Sequence, residues 1–365
     1  MNMKDQNVLF LTRTMHLGGT ENVVLQLCEI LYPQVNKIIV CSCGGVNIGR
    51  LKEFGISHYT IPDITKKNIK TIFEVSIIIK KILKEEKITI IHSHHRMAAF
   101  YAQFLCKRSI IKVANVHNTF YDKKLFTRIA YQNTKLIAVG EQVKKNLKAI
   151  YGMADKQIVV IHNAVKPFNE HVKIDCDLQE EKKRGHILIG NIGRLSEQKG
   201  MEYFIYAASL VIKQCSNARF FIIGDGEEAG KLMVMAKEML GEDKLFFMGY
   251  RSDIQNIMSQ LDFVVLSSLW EGLPLTPIEA FSVGKTIIAT AVDGTPEIVR
   301  HERNGLLIES RDVKGLASNI IRLCNDVELR KYLESNAIVT YNSEFSFAVL
   351  SDRYIKFYHE VLEAL

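Results

Sequence analysis

Short apolar runs alternate with helix-period segments along this whole chain, and they do so in two series. The first holds VLFLT (8–12), KIIVCS (37–42), HYTIP (58–62), ITIIHSHH (88–95), KVANVH (112–117), LIAVG (136–140) and QIVVIHN (157–163). Helical patterns fill the gaps near 21–31, 49–54, 66–86, 97–107, 123–132 and up to 151. Strands alternating with helices predict an α/β fold, a parallel sheet covered on both faces. The second series starts at HILIGNIGRL (186–195) and runs through ARFFIIGDGEE (218–228), KLFFMGY (244–250), Phe263–Leu266 and GLLIE (305–309). Helices near 312–325 and 326–340 and an amphipathic last segment, 345–365, complete it. Residues 169–185 are polar and aperiodic, which predicts a linker. At 365 residues the chain exceeds one ordinary core. The expected division is a domain over 1–170, a linker over 171–185 and a domain over 186–344.

Charge divides the same way. Residues 1–175 hold 26 Lys and Arg against 13 Asp and Glu, a net of +13, and the remainder carries −6. Nucleic acid is an unlikely partner for the basic half, because no nucleic-acid motif accompanies it, whereas an anionic membrane surface or a phosphate-bearing acceptor fits. Helix 66–87 places Ile69, Ile72, Phe73, Ile79 and Leu83 broadly on one side with lysines opposite. It reads either as a covering helix with a solvated face or as a peripheral membrane contact. The basic, aromatic segment 120–135 is open to the same two readings. Seven scattered cysteines, odd in number, predict reduced thiols rather than disulfides or zinc. With no apolar run of membrane-spanning length and no signal-peptide pattern, the expected location is the cytoplasm.

The most informative stretch is DFVVLSSLWEGLPLTPIEAFSVGKTIIATAVDGTPEIV (262–299). A buried strand leads into a loop and then a helix start, with Thr276 as the cap, Pro277 first and Glu279 three after the cap. Such a start aims free amides at an anion, for instance a diphosphate. Glu271 and Glu279 flank it, suited to bond the hydroxyls of two sugars; alternatively Glu279 only caps and Glu271 is a solvated loop charge. Arg194 and Lys199 stand on a glycine-bounded strand-to-helix loop suited to clamping a diphosphate. Gly18 and Gly19 form a phosphate-approach turn, or simply a tight one. His92, His94, His95 and His117 fall at the carboxyl ends of predicted strands, where ligands of such sheets sit.

The string from Glu271 to Val299 resembles the E-x7-E signature of glycosyltransferase family 4, retaining enzymes of the GT-B fold. GRLSEQKG (193–200) is similar to that family's G-R-L-x-x-x-K-G, and GGTE (18–21) to its G-G-x-E loop. The resemblance implies two Rossmann-like doubly wound parallel-sheet domains facing across a cleft, with a terminal helix, about 345–365, returning to the first. It implies that Glu279 contacts the nucleotide ribose, Glu271 the donor sugar, and amides near Leu275 and Thr276 the diphosphate. Gly18, Gly19 and Gly193 would lie by the donor phosphates, and Gly224 and Asp225 by the base. Arg194 and Lys199 would take up leaving-group charge, with His117 beside the reacting sugar and His94 and His16 on the acceptor side. The implied reaction carries a sugar from a nucleotide-diphosphate sugar, a UDP-sugar foremost, to a saccharide or lipid-linked acceptor in surface or exopolysaccharide assembly. It is a retaining transfer without cofactor or essential metal, expected in the cytoplasm and associated with the membrane's cytoplasmic face. Rival readings are a nucleotide-sugar epimerase on the same fold and a non-catalytic sugar- or nucleic-acid-binding protein.

Overall fold

A computed structural model describes residues 2–16, 18–66 and 68–363. The chain divides into two compact units, Met1–Asn163 with Leu350–Leu365, and Ala164–Val349.

The first unit is built on seven parallel strands: β1 (Asn7–Leu11), β2 (Lys37–Ser42), β3 (Ser57–Thr60), β4 (Ile90–Ser93), β5 (Ile111–Val116), β6 (Lys135–Ala138) and β7 (Ile158–Val160). Their order is β3-β2-β1-β4-β5-β6-β7. A sheet covered on both faces needs apolar residues at successive positions, and Val8 through Leu11 of β1 are all fully buried. Leu9, Leu11, Ile39 and Ile91 pack with Val75, Ile79 and Ile82 of helix Ile69–Glu85 and with Tyr101 of helix Arg96–Leu105. On the other face His92 meets the last helix, Phe347–Glu363; residues 364 and 365, expected in that helix, lie outside the described residues. His92 Nδ1 sits 2.7 Å from Tyr358 Oη, its Nε2 2.8 Å from Asn115 Oδ1, and Asn115 Nδ2 donates to Tyr354 Oη at 2.6 Å.

Helix Ile69–Glu85 turns inward only part of the side its sequence suggests: Ile79 is buried and Leu83 packs against the core, whereas Ile69 and Phe73 do not. It carries two apolar stripes at four-residue spacing, and the sheet takes Thr71, Val75 and Ile79. Ile69, Phe73 and Ile77 are left 76%, 67% and 63% exposed.

The second unit has six parallel strands: β8 (Ile187–Ile192), β9 (Ala218–Ile223), β10 (Leu245–Gly249), β11 (Phe263–Leu266), β12 (Ile287–Thr290) and β13 (Leu306–Ile308). They lie in the order β10-β9-β8-β11-β12-β13. In both units the first strand is flanked by the second and the fourth, the point where strand order reverses and ligand crevices open at the carboxyl ends.

Residues 171–185, expected to be a linker, belong to the second unit and contain helix Cys176–Lys183. Asp175 caps it by accepting from the amides of Asp177 and Leu178. The helix is held by ions more than by apolar contact, which is why the sequence lacks periodicity there. Glu181 is buried with Arg219 Nε at 3.0 Å and His186 Nδ1 at 2.7 Å. Among the described residues no helix is long and apolar enough to cross a membrane, and all seven cysteines are free.

Candidate functional site

In the second unit, two loops at the carboxyl ends of β8 and β11 are fastened together. Leu269 N donates to Gln198 O at 2.8 Å, Gln198 Nε2 to Trp270 O at 3.0 Å, and Ser267 Oγ to Lys199 O at 3.0 Å. Gly200 makes this approach possible: its φ is +55°, and a Cβ there would collide with the Ser267 carbonyl. The turn after β9 closes onto the same loop. Leu195 N donates to Asp225 O at 3.0 Å, and a Cβ on Gly224 (φ +146°) would fall on the Gly193 carbonyl oxygen.

Lys199 lays its aliphatic stem across Gly193, whose missing Cβ would lie 3.3 Å from Lys199 Cε. The ammonium then reaches Glu271, with Nζ 2.6 Å from Oε1. Ser268 Oγ donates to the same oxygen at 2.6 Å, and the Glu271 amide donates to Asp293 Oδ2 at 2.7 Å. Glu271 is only 9% exposed, so it is a held, desolvated carboxylate and not a solvated loop charge. Ser268 and Asp293, which hold it, carry no individual signal in the sequence beyond the turn-like Asp-Gly pair.

The helix after this loop starts earlier than its sequence suggests. It runs Leu275–Ser282 with Pro274 as the cap residue, in extended backbone (φ −68°, ψ 137°), and no side chain caps it. Thr276 is therefore inside the first turn, and Glu279 lies too far along to close a capping box. Proline at the cap position cannot satisfy an amide with its side chain, so the first-turn amides of Leu275 and Thr276 keep their capacity for an outside acceptor. Glu279 is partly buried, and among the described residues only burial and the charge of Lys199, not a hydrogen bond, act on its carboxylate. Burial raises its pKa to about 7 against the opposing pull of Lys199. Arg194 and Asp225 are exposed, and Asp225 Oδ1 accepts from the Gly226 amide at 2.8 Å.

The first unit gathers another group. His94 Nδ1 lies 3.3 Å from His117 Nε2 with the rings stacked, and His94 also stacks on His92 with centroids 4.6 Å apart. Burial lowers the pKa of His92 to about 3 and of His117 to about 4, and holds His94 well below the ordinary range. All three are neutral near pH 7. His92 is committed to Tyr358 and Asn115, whereas buried His94 Nε2 has no partner among the described residues. Gly18 is the cap residue and Gly19 the first residue of helix Gly19–Leu31, again without a side-chain cap. His16 is exposed, and its carbonyl accepts from Asn47 Nδ2 at 2.7 Å. Beside His94 and His117 lies a cavity of about 660 Å³, also lined by Thr20 and by Phe100, Phe120 and Phe126.

One unit thus presents a cation, free helix-start amides and two carboxylates, fit for a diphosphate and sugar hydroxyls. The other presents neutral imidazoles beside a cavity. Residues 17–167 match the family described as Glycosyltransferase Family 4, and residues 172–340 the one described as Glycosyl transferases group 1. The chain is 28% identical over 334 residues to the UDP-Gal:alpha-D-GlcNAc-diphosphoundecaprenol alpha-1,3-galactosyltransferase of Escherichia coli, covering 85% of this chain and 86% of that one. It is 22% identical to the N-acetyl-alpha-D-glucosaminyl L-malate synthase of Bacillus anthracis over 77% of each. In structure it is similar to Anabaena HepE, solved in complex with UDP-glucose, with a TM-score of 0.82 and 20% identity over 98% of this chain and 100% of that one. With both series of strands accounted for by these matches, the chain belongs to glycosyltransferase family 4 and is a glycosyltransferase of the GT-B fold.

Proposed function

We propose that this glycosyltransferase moves a hexosyl group from a UDP-sugar to a hydroxyl of a saccharide or lipid-linked acceptor, with retention and without an essential metal, in surface-polysaccharide assembly. The observation that carries this reading is the joined Lys199–Glu271 pair beside an uncapped helix start, with the unpartnered Glu279 within electrostatic reach of Lys199. A diphosphate accepts from the Leu275 and Thr276 amides and from Lys199 and Arg194. Glu279 accepts from ribose hydroxyls, and Glu271 from a hydroxyl of the transferred sugar. The preference for uridine is supported by the UDP in the names of the Escherichia coli relative and of the Anabaena complex.

In the reaction the bond from the sugar's anomeric carbon to the β-phosphate oxygen breaks, and a bond to the acceptor oxygen forms on the same face. The acceptor proton leaves with the departing phosphate oxygen. Lys199, Arg194 and the helix-start amides stabilise the charge that develops there, the part a metal ion plays in other phosphate-leaving reactions. The chain's Asp-x-Asp string, Asp175-Cys176-Asp177, is used instead for capping and for Arg251, whose Nη1 lies 2.8 Å from Asp175 Oδ2. A first half of net charge +13 and the exposed Ile69–Phe73–Ile77 stripe support work at an anionic membrane's cytoplasmic face.

The test is thermal stabilisation by a panel of UDP-, GDP- and ADP-sugars, followed by NMR of the anomeric product with a chelator present. One UDP-sugar should raise Tm and give a retained product. No shift with any nucleotide sugar, an inverted product, or loss of turnover on chelation would sink the corresponding part.

A further inference from the structure

Resting on the glycosyl-transfer reading, we propose that the 660 Å³ cavity of the first unit holds the hydrocarbon chain of a lipid-phosphate acceptor. Its wall has two kinds of residue. Phe100, Phe120, Phe126, Met97 and Ile72 make it mainly apolar, with the Phe100 and Phe126 rings stacked at 4.8 Å. His94 and His117 also line it, and the buried Nε2 of His94 lacks a partner among the described residues. A buried nitrogen left unpaired is costly, and a hydroxyl of an entering ligand would satisfy it. The volume falls in the range of about 300–1,000 Å³ usual for sites of small organic ligands.

Exposed apolar side chains adjoin several of the lining residues, by ring contact or along the chain. Phe104, 63% exposed, contacts Phe100 at 4.7 Å between centroids. Tyr121 and Leu125, next in sequence to Phe120 and Phe126, are 77% and 72% exposed. Ile69 and Phe73, on helical turns adjoining Ile72, are exposed as well. Large apolar side chains exposed next to the lining residues are the surface that an apolar ligand or membrane covers. Charge identifies the rest of the ligand. Arg96 and Lys123 both line the cavity and share one carboxylate, Asp122, at 2.9 and 3.4 Å, which leaves a positive charge for a phosphate. An apolar chain, an anionic link and a hydroxyl-bearing group together describe a lipid-phosphate saccharide. A small soluble hydroxy acid would leave the phenyl-lined wall empty.

Dodecyl phosphate and farnesyl phosphate, below their micelle concentrations, serve as linear and branched probes against inorganic phosphate, with binding to the full chain measured calorimetrically. Both lipid phosphates, or one, should bind at least about tenfold tighter than inorganic phosphate, the tighter probe showing whether the chain is linear or isoprenoid. Ile72→Glu, at a position already partly exposed, should weaken that binding at least about tenfold and leave stabilisation by UDP-sugars unchanged. Phe100→Ala gives a second variant, with circular dichroism and a single cooperative thermal transition verifying that its fold is retained. Lipid phosphates that bind no better than inorganic phosphate, or equally well to both variants, would overturn the hydrocarbon site. Loss of the UDP-sugar shift in the unaltered protein would instead strike the transfer reading itself.

Discussion

Lys199 Nζ lies 2.6 Å from Glu271 Oε1, so the cation suited to the leaving diphosphate and the carboxylate suited to the donor sugar are one ion pair before any ligand arrives. Lys199 is 17% and Glu271 7% exposed at the side chain, so each desolvated charge is compensated by the other. An arriving diphosphate competes for Lys199 with this carboxylate, and Glu271, still held by Ser268, gains a free lone pair for a sugar hydroxyl. Lys199→Ala should therefore reduce turnover by about 10²–10³-fold, as removal of a charge-stabilising donor does. It should also lower Tm, because it strands a buried carboxylate, at a cost of about 1–3 kcal/mol. Steady-state kinetics and thermal unfolding of the same preparation check both, and turnover within about threefold of the native value would remove Lys199 from the reaction.

Arg194 separates the two effects. It is exposed on the same loop and no ion pair of it occurs among the described residues. Arg194→Ala should reduce turnover by about 10–100-fold, yet change stability by no more than about 0.5 kcal/mol, the usual range for surface substitutions. A variant that unfolds as readily as Lys199→Ala would place Arg194 in the structure and not in the chemistry.

Glu279 offers a pH test. Its pKa, raised to about 7 by burial, lies above the ordinary carboxylate value, so the native state retains a proton that the unfolded state releases. Stability attached to this group is lost as pH rises from about 4.5 to about 7, and Glu279→Gln should be more stable at pH 8 by about 1–2 kcal/mol, discounted for partial exposure. The same substitution should weaken UDP-sugar binding at least about tenfold at pH 8, where the ribose loses an ionised acceptor. At pH 6 the native carboxyl is largely protonated, so the two proteins should converge. A pH-independent difference in binding would show that ionised Glu279 does not hold the ribose.

The apolar runs made the first sheet and five strands of the second legible, because strands covered on two faces leave no polar alternation to confuse with anything else. The sixth, β12 (Ile287–Thr290), lay unread inside the stretch taken for a loop and helix start. Polar anchoring was not legible. Helix Cys176–Lys183 reads as linker since only Leu178 and Glu181 are buried on it and its partners, Arg219 and His186, lie beyond the segment. The early start at Leu275 was hidden because Thr276-Pro277 spells a good helix start, whereas the cap falls on Pro274, which offers no side-chain acceptor. On helix Ile69–Glu85 two apolar stripes share one sequence, and only the sheet decides between them. Glu271, Glu279 and Lys199 were visible through their ordered spacing, but their grouping was not: 72 residues separate Lys199 from Glu271. The partners of His92 are farther still, with Tyr358 266 residues away.

The three stacked histidines give the first unit a built-in sensitivity to acid. Burial lowers His92 to about 3 and His117 to about 4 and holds His94 well below its ordinary value. Unfolded histidines take up protons near pH 6.5, while these do not until far lower. The unfolded state therefore binds more protons between about pH 6.5 and 4, and native stability falls as pH drops through that window. Each excluded proton contributes up to about 1.4 kcal/mol per pH unit. Carboxylates titrate in the lower part of the window and Glu279 opposes the trend, so the comparison that isolates the cluster is between the native protein and His94→Asn. Denaturant midpoints at pH 7, 6 and 5 should fall steeply for the native protein and less steeply for the variant, by about one proton's share. Removing His94 also relieves the stack at its centre, since it packs against both His92 and His117. Parallel pH profiles would mean that His94 takes its proton within the native fold, and that the cluster is wetter than its burial implies.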